Sequence, residues 1–199
     1  MALRLRTAHV ADAAGMLAIY EPFVRTTAIS FELEPPDLTE FTRRVRETRE
    51  YAPWLVCESD GAIAGYAYGS KFRPRPAYRW TIEVTVYVSP AFHRRGIGRA
   101  LYEALLGCLR AQGYQGATAG IALPNDPSIR LHESVGFRPI GVFHAAGFKL
   151  GAWHDVAWYE LTLGSRGTAP GEPIATATAQ RTDEWQHSLA KGAAFIGQR

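Results

Sequence analysis

Apolar and polar residues alternate at several places along the chain, and this spacing is typical of half-buried β-strands. In the longest such run, Thr81 to Val88, every even-numbered residue is aliphatic and the odd-numbered residues include Glu83. The same criterion predicts further strands at residues 3–6, 54–58, 62–68, 117–123, 139–143 and 156–163. A Ser-Asp-Gly turn at 59–61 joins two of these strands as a hairpin.

Helices are predicted where apolar residues recur every three or four positions. Isoleucine and leucine recur every four residues from Ile97 to Leu109, and Gly113 ends this helix. The other helices are predicted to begin near Asp12, at a capping box formed by Asp37 and Glu40, and after Asn125. The order β-α-α-β-β-β-α-β-α-β-β predicts an α/β (α+β) fold, in which helices flank both faces of a mixed central β-sheet.

The pattern of strands and helices ends near residue 163. From Gly164 onward the chain is rich in Gly, Pro, Ala and Thr, which favours irregular structure. We therefore expect one domain over residues 1–163 and a loosely ordered C-terminal tail over 164–199. Within that tail, Trp185 to Phe195 could form a short docking helix.

The charge of the chain is modest, with 22 Lys and Arg against 19 Asp and Glu, a net charge of +3. This balance does not favour nucleic acid as a partner. The basic residues nevertheless cluster at 71–79 and at 94–99. Two local clusters predict either two small anionic ligands or one ligand with two anionic ends.

The cysteines and histidines predict neither a disulfide nor a metal site. Cys57 and Cys108 lie among apolar residues and are expected to be buried thiols. The six histidines lack the spacing of metal ligands, so no metal is expected. The chain has no apolar run long enough to cross a membrane, and Arg4 and Arg6 exclude an N-terminal signal peptide. A cytoplasmic location is expected.

The segment 93–100 carries the clearest chemical signal. Here the strand ending at Val88 leads into a basic, glycine-interrupted turn that opens a helix. Such a turn directs backbone N–H groups and the positive end of the helix at one point, which suits a pyrophosphate. A dinucleotide fingerprint fits poorly, because its third glycine position is Leu101. The pattern Arg95-x-x-Gly98-x-Ala100 instead resembles the acyl-coenzyme A pyrophosphate loop of the GNAT acetyltransferases.

The segment 123–137 resembles a second GNAT signature, in which an asparagine at a strand end precedes a helix and a Gly-Phe pair. Asn125 occupies that position, and Gly136 and Phe137 end the segment. An asparagine side chain both donates and accepts hydrogen bonds, which suits the amides of a pantetheine arm. Alternatively, Asn125 merely caps the helix.

A narrower resemblance covers roughly residues 3–163. The segments 31–35, 78–88, 123–137 and 146–156 are similar to those of the phosphinothricin (bialaphos-resistance) N-acetyltransferases. This resemblance implies a GNAT fold, acetyl-CoA as co-substrate, a small amino acid as acceptor and a homodimer. It implies no metal, no nucleic acid and no membrane.

The resemblance also implies roles for individual residues. Glu83 would be the general base and His132 its catalytic companion. The residues implied to bind acetyl-CoA are Val86, Tyr87, Val88, Arg94, Arg95, Gly96, Ile97, Gly98, Arg99, Asn125 and Ser128. The residues implied to line the amino-acid pocket are Phe31, Arg73, Arg75, Tyr78 and Thr85. Arg73 departs from the lysine also found at its position, which keeps the charge but changes its geometry.

The reaction needs a general base on chemical grounds alone, whatever family the chain resembles. An α-ammonium group must lose a proton before it attacks a thioester. Glu83 is the one carboxylate in an otherwise uncharged strand, and burial there would raise its pKa toward a useful range. Alternatively, Glu83 pairs with a neighbouring arginine. His132 could equally be a core histidine whose hydrogen bonds are satisfied.

These observations predict an acetyl-CoA-dependent N-acetyltransferase that acts on the α-amine of a small anionic amino acid. Phosphinothricin, methionine sulfoximine and methionine sulfone are examples. Direct transfer is expected because Cys57 and Cys108 have no evident activating partner. The alternatives are a GNAT enzyme that acts on a peptide N-terminus or another amine, and a non-catalytic acyl-CoA-binding sensor.

Overall fold

The computed structural model describes residues 3–197, which build a mixed β-sheet with helices on both faces. The strands are β1 (Leu3–Thr7), β2 (Trp54–Ser59), β3 (Ala62–Lys71), β4 (Thr81–Val88), β5 (Gly116–Ala122), β6 (Arg138–Lys149) and β7 (Ala152–Thr162). The helices are α1 (Ala13–Thr26), α2 (Leu38–Tyr51), α3 (Ile97–Gln112), α4 (Asp126–Ser134), α5 (Thr176–Ala179) and α6 (Asp183–Ala193). The fold class and the order of elements as far as β7 are confirmed.

The sheet has the strand order β1-β2-β3-β4-β5-β7-β6. Within the described residues, β4 and β5 form the one parallel pair, and every other neighbouring pair is antiparallel. The connection from β4 to β5 runs through α3, as a parallel pair requires.

The two faces of the sheet are covered by different helices. Leu101 and Leu105 of α3 are fully buried in a core that includes Ile82 from β4. On the other face, Met16 of α1 and Phe41 of α2 pack in a second buried cluster. The even-numbered side chains at the start of β4 therefore face α3, and Glu83 points to the opposite side.

The pairing of β4 with β5 is short. It comprises Thr81 with Gly116, Ile82 with Ala117, and Glu83 with Thr118. Beyond this point β4 continues to pair with β3 as far as Val88, and β5 pairs with β7. A cleft consequently opens between the carboxyl ends of β4 and β5, and Glu83 lies at its closed end.

Strands β6 and β7 are longer than expected. The alternation predicts strands at 139–143 and 156–163, whereas the hairpin extends over 138–149 and 152–162. Nearly every residue of β6 is exposed, so no alternation of buried and exposed positions marks its true length.

The C-terminal region differs from the loosely ordered tail expected from its composition. It contains α5 and α6, and Trp185 of α6 has no exposed surface. The docking helix expected around Trp185 is present and packs against α3. Burial of this indole supplies the ordering free energy that a Gly- and Pro-rich composition does not reveal.

Candidate active site

The cleft between β4 and β5 is narrow, with a volume of about 60 Å³. Its walls are residues 84–87 of β4 and 120–122 of β5, and its rim includes Asn125, Ser128 and His132. Backbone groups on the β5 side of β4 face this space rather than another strand, because the two strands have parted. The cleft therefore offers peptide donors and acceptors to an extended, amide-containing chain.

The turn before α3 brings the predicted pyrophosphate residues to one end of this cleft. Arg94 and Gly96 both have left-handed backbone conformations, with φ of +59° and +75°. Gly96 is the N-cap of α3 and provides no capping side chain. The first N–H groups of the helix, at 97–99, consequently lack intrahelical acceptors and suit an anion.

Gly98 lets this turn pack closely against its neighbours. A Cβ at this position would lie 3.1 Å from Leu131 Cδ2 and 3.8 Å from Val88 Cγ2. The side chains of Arg94, Arg95 and Arg99 are exposed around the turn. The arrangement combines positive charge, a helix N-terminus and an accessible backbone.

Asn125 caps α4 and also lines the cleft. Its Oδ1 accepts a hydrogen bond from the backbone N–H of Ser128 at 3.3 Å, so it caps α4. The same residue lines the cleft. The capping interpretation is confirmed, and it is compatible with a second role for the amide group.

Glu83 is half-buried in the sheet beside Ser70 of β3. Burial raises the pKa of its carboxyl group, and the nearby charge of Arg73 partly opposes that rise. The salt bridges of the described residues do not include Glu83. A carboxylate with a raised proton affinity at the closed end of a cleft is suited to accept a proton.

His132 is almost fully buried and both of its ring nitrogens have partners. Nδ1 lies 2.7 Å from the carbonyl oxygen of Ser128, which can only accept a hydrogen bond, so Nδ1 carries the proton. Nε2 lies 2.9 Å from the hydroxyl oxygen of Tyr102 and accepts a hydrogen bond from that hydroxyl. Burial lowers the pKa of the imidazole, which keeps it neutral.

Tyr102 is a site residue that the sequence analysis missed. It belongs to α3, directly after Leu101, and was indistinguishable from the core-facing residues of that helix. Its side chain has 1% exposure, yet it lines the cleft and bonds His132. A polar tyrosine within an otherwise aliphatic helix face is the signal that could have identified it.

The residues predicted to line the amino-acid pocket do not all line one cavity. Thr85 lines the cleft, and Arg73 lies near Glu83 with its guanidinium 5.8 Å from the ring of Trp158. Arg75 and Tyr78 instead line a neighbouring cavity of about 290 Å³, which Arg73 also lines. The charge of Arg73 thus acts on Glu83, while Arg73, Arg75 and Tyr78 line the neighbouring cavity together.

Phe31 lies in the segment between α1 and α2, and this segment packs against the β6–β7 hairpin. Its ring lies against Gly147, where an added Cβ would be 2.6 Å away. Beside it, the buried Lys149 donates a hydrogen bond from Nζ to the backbone oxygen of Ser30 at 2.6 Å. Lys149, which the sequence analysis also missed, holds the Phe31 segment in place.

Comparison with known proteins agrees with this geometry. The model of the acetyltransferase (GNAT) domain family matches residues 5–158. The chain belongs to the GNAT acetyltransferases. It is 39% identical over 176 residues to phosphinothricin N-acetyltransferase of Streptomyces viridochromogenes, which covers 88% of this chain and 95% of that protein. It is 34% identical to the L-methionine sulfoximine/L-methionine sulfone acetyltransferase of Pseudomonas aeruginosa, over 85% of this chain and 100% of that protein.

A solved structure gives the same result. The phosphinothricin acetyltransferase of Sinorhizobium meliloti, in complex with AcCoA, superimposes with a TM-score of 0.82 at 36% identity. The match covers 92% of this chain and 100% of that one. The resemblance inferred from sequence is confirmed: this GNAT protein is an N-acetyltransferase of the phosphinothricin N-acetyltransferase family.

Two further observations concern residues 3–197. In this range no helix combines the length and the apolar character that crossing a membrane requires. Nor do three or more His, Cys, Asp and Glu side chains in the same range come together as metal ligands do.

We predict that the imidazole of His132 titrates below its ordinary value of about 6.5 in the folded enzyme, as the Nδ1–H tautomer. Burial disfavours the charged ring, so protonation favours the unfolded state. Folding stability should therefore fall as the pH drops below about 6.5, and level off below the folded pKa. Ring-nitrogen NMR checks both points, with His132→Gln used to assign the signal. A pKa above 6.5, or the Nε2–H tautomer, would contradict the assignment.

Proposed function

We propose that this enzyme transfers the acetyl group of acetyl-CoA to the α-amine of a small anionic amino acid. The observation that carries the proposal is the position of Glu83, at the point where β4 and β5 part, with the charge of Arg73 beside it. The relatives support the same substrate class, since they are acetyltransferases of phosphinothricin and of methionine sulfoximine and sulfone.

The residues present fit acetyl-CoA. The exposed arginines at 94–99 and the uncapped start of α3 match a diphosphate, and the backbone of 86–88 with Asn125 matches a pantetheine arm. Ser128 contributes its N–H to the cap and its carbonyl to His132. Acetyl-CoA supplies an acyl carbon that is activated as a thioester.

Glu83 acts as the general base in this proposal. It accepts a proton from the acceptor ammonium, directly or through one water, and the freed amine attacks the acyl carbon. The new C–N bond forms and the C–S bond breaks, with its electron pair going to the sulfur. The proton that the nitrogen then loses passes to this thiolate, and coenzyme A leaves as the thiol. The pKa of an α-amine is about 7.7–8.0 in peptides and higher in a free amino acid. Because burial raises the pKa of Glu83 toward that of the amine, the proton transfer costs less free energy.

His132 acts as a positioning residue rather than as a second base. Its Nδ1 proton is committed to Ser128, so its Nε2 takes the hydrogen bond from Tyr102. The hydroxyl hydrogen of Tyr102 then points at His132, and its remaining lone pairs are available to donors in the cleft. Both residues line the cleft, and Tyr102 is the one with lone pairs left for a donor on the reactants.

Transfer is direct, without an acyl-enzyme. Burial raises the pKa of the Cys57 thiol to about 11, and the pKa of Cys108 is raised as well. Neither thiol is ionised to a useful degree near neutral pH. Both are buried in the core, and neither lines the cleft.

Arg73 receives an anionic group of the acceptor. Its guanidinium lies 4.5 Å from the ring centroid of Phe72 and 5.8 Å from that of Trp158, and these aromatic faces restrict it. Donors at the guanidinium edge suit a carboxylate or phosphinate. A cationic acceptor such as a polyamine is disfavoured by the same charge.

Glu83→Gln should lower kcat by about 10²-fold or more, because an amide cannot take the proton. Binding of coenzyme A, measured by calorimetry, should be nearly unchanged. In the wild type, activity should fall as the pH drops through the raised pKa of Glu83, and this acidic limb should be absent from the variant. Glu160→Gln, at an exposed carboxylate of β7, is the matched control. Unchanged turnover of Glu83→Gln would remove Glu83 from the mechanism, whereas a wild type that binds coenzyme A but turns over no acceptor would identify a non-catalytic binding protein.

A thiol-release assay with acetyl-CoA tests the acceptor. Phosphinothricin, methionine sulfoximine and methionine sulfone should support turnover, whereas spermidine should not. Arg73→Met should raise KM for these amino acids by about tenfold or more, since it removes a charged hydrogen-bond donor, and leave KM for acetyl-CoA unaltered. Turnover with a peptide N-terminus and with none of the free amino acids would overturn the substrate class.

We also propose that two copies associate through the β6–β7 hairpin. Strand β6 is an edge of the sheet, and large apolar side chains are exposed along the hairpin. They are Ile140, Val142, Phe143, Phe148 and Trp153, with exposures of 41–66%. An apolar edge of this kind is a common interface in soluble proteins.

Light scattering should therefore give twice the mass of one chain for the wild type. Phe143→Glu should shift the protein toward the monomer, because it places a charge in the interface. Leu38→Glu puts the same charge on an exposed leucine of α2 and should remain dimeric. A monomeric wild type at micromolar concentration would refute the proposal.

A further inference from the structure

The C-terminal helix α6 is packed unusually closely against α3. A Cβ at Gly192 would lie 2.5 Å from the carbonyl oxygen of Ala100, and a Cβ at Gly107 would lie 2.5 Å from Ser188 Oγ. Trp185 is buried in the same interface. Glycine on each helix allows the two backbones to approach, so the end of α6 is held firmly beside the start of α3.

The residues that follow α6 reach the turn proposed to bind the diphosphate. The ring centroid of Phe195 lies 4.5 Å from the guanidinium carbon of Arg99. The backbone N–H of Gly197 donates to the carbonyl oxygen of Arg95 at 2.9 Å. The GNAT family model ends at residue 158, so these contacts come from outside the matched domain.

A third contact, made by Lys191 of α6, affects the acidic residue next to Arg99. Glu103, one turn along α3, lies 4.0 Å from Arg99 Nε and could compete with an anionic ligand for it. Lys191 Nζ lies 3.7 Å from the other oxygen of Glu103 and shares its charge. The tail therefore weakens the hold of Glu103 on Arg99.

Stacking on an aromatic ring uses the face of a guanidinium and leaves the N–H donors at its edge. The Arg99 side chain is 46% exposed, so these donors remain accessible. An arginine that is already restricted loses less conformational freedom when it binds an anion.

We infer that Phe195 is a positioning residue for the acetyl-CoA site, since it holds Arg99 ready for the diphosphate. This inference rests on the proposed function, which places the diphosphate at residues 94–99. It assigns to the C-terminal region a share in co-substrate affinity, and none in the chemical step.

Calorimetric titration with coenzyme A tests the inference in the full-length enzyme. Phe195→Ala should raise Kd by about two- to fivefold, the range expected for one cation–π contact. Phe195→Leu keeps the apolar bulk without the aromatic face and should behave like Phe195→Ala. Phe195→Tyr keeps the face and should bind like the wild type. KM for acetyl-CoA should follow Kd, while kcat and KM for the amino acid stay unchanged.

Arg99→Met separates this inference from the proposed function. It should raise Kd for coenzyme A by about tenfold or more, because it removes charge-assisted bonds. In the Arg99→Met background, Phe195→Ala should have no additional effect, since the two residues act through one contact. A purely structural role for Phe195 would instead give the same effect in both backgrounds.

The other possible results of these binding measurements separate the two proposals. If Arg99→Met weakens binding but Phe195→Ala and Phe195→Leu do not, the positioning role of Phe195 is wrong and the diphosphate site stands. If Arg99→Met leaves Kd unchanged, Arg99 does not contact the diphosphate and the proposed site is wrong there. Thermal unfolding of each variant shows whether a loss of binding reflects a loss of folding.

Discussion

The early parting of β4 and β5 is the constraint on which the rest of the structure depends. Their pairing stops at Glu83 and Thr118, while on their other edges β4 continues to pair with β3 and β5 with β7. Two strands that separate inside a sheet leave backbone donors and acceptors facing one another across a gap. The cleft therefore forms within the sheet, where both the carboxylate at its closed end and the helix beside its open end are held rigidly.

The two ends of the cleft have opposite electrostatic character. At the closed end, Glu83 is withdrawn from water, and desolvation controls its proton affinity. At the other end, Arg94, Arg95 and Arg99 are exposed around an uncapped helix N-terminus, and positive charge dominates. The first environment suits proton transfer and the second suits an anion.

Much of this arrangement was predictable because it is encoded locally. The alternation in 81–88, the four-residue repeat from Ile97 and the capping signals at Asp37 and Asn125 each act over a few residues, and each is confirmed. The length of the β6–β7 hairpin was not predictable, since exposed strands carry no alternation of burial. The order in residues 176–193 was only partly predictable: a docking helix was expected around Trp185, but its firm packing depends on the burial of that residue against a distant helix.

The sequence by itself determined the fold class, the family and the identity of the residues that carry charge and proton affinity, because these follow from residue type and short-range spacing. Only the tertiary structure decided which of these residues lie close together. It bonded Tyr102 to His132 across 30 positions, placed Arg73 near Glu83 but Arg75 and Tyr78 in the adjoining cavity, and brought Phe195 to Arg99. The physical reason is that such contacts depend on how strands part and helices pack over long sequence separations, and no local pattern records those distances.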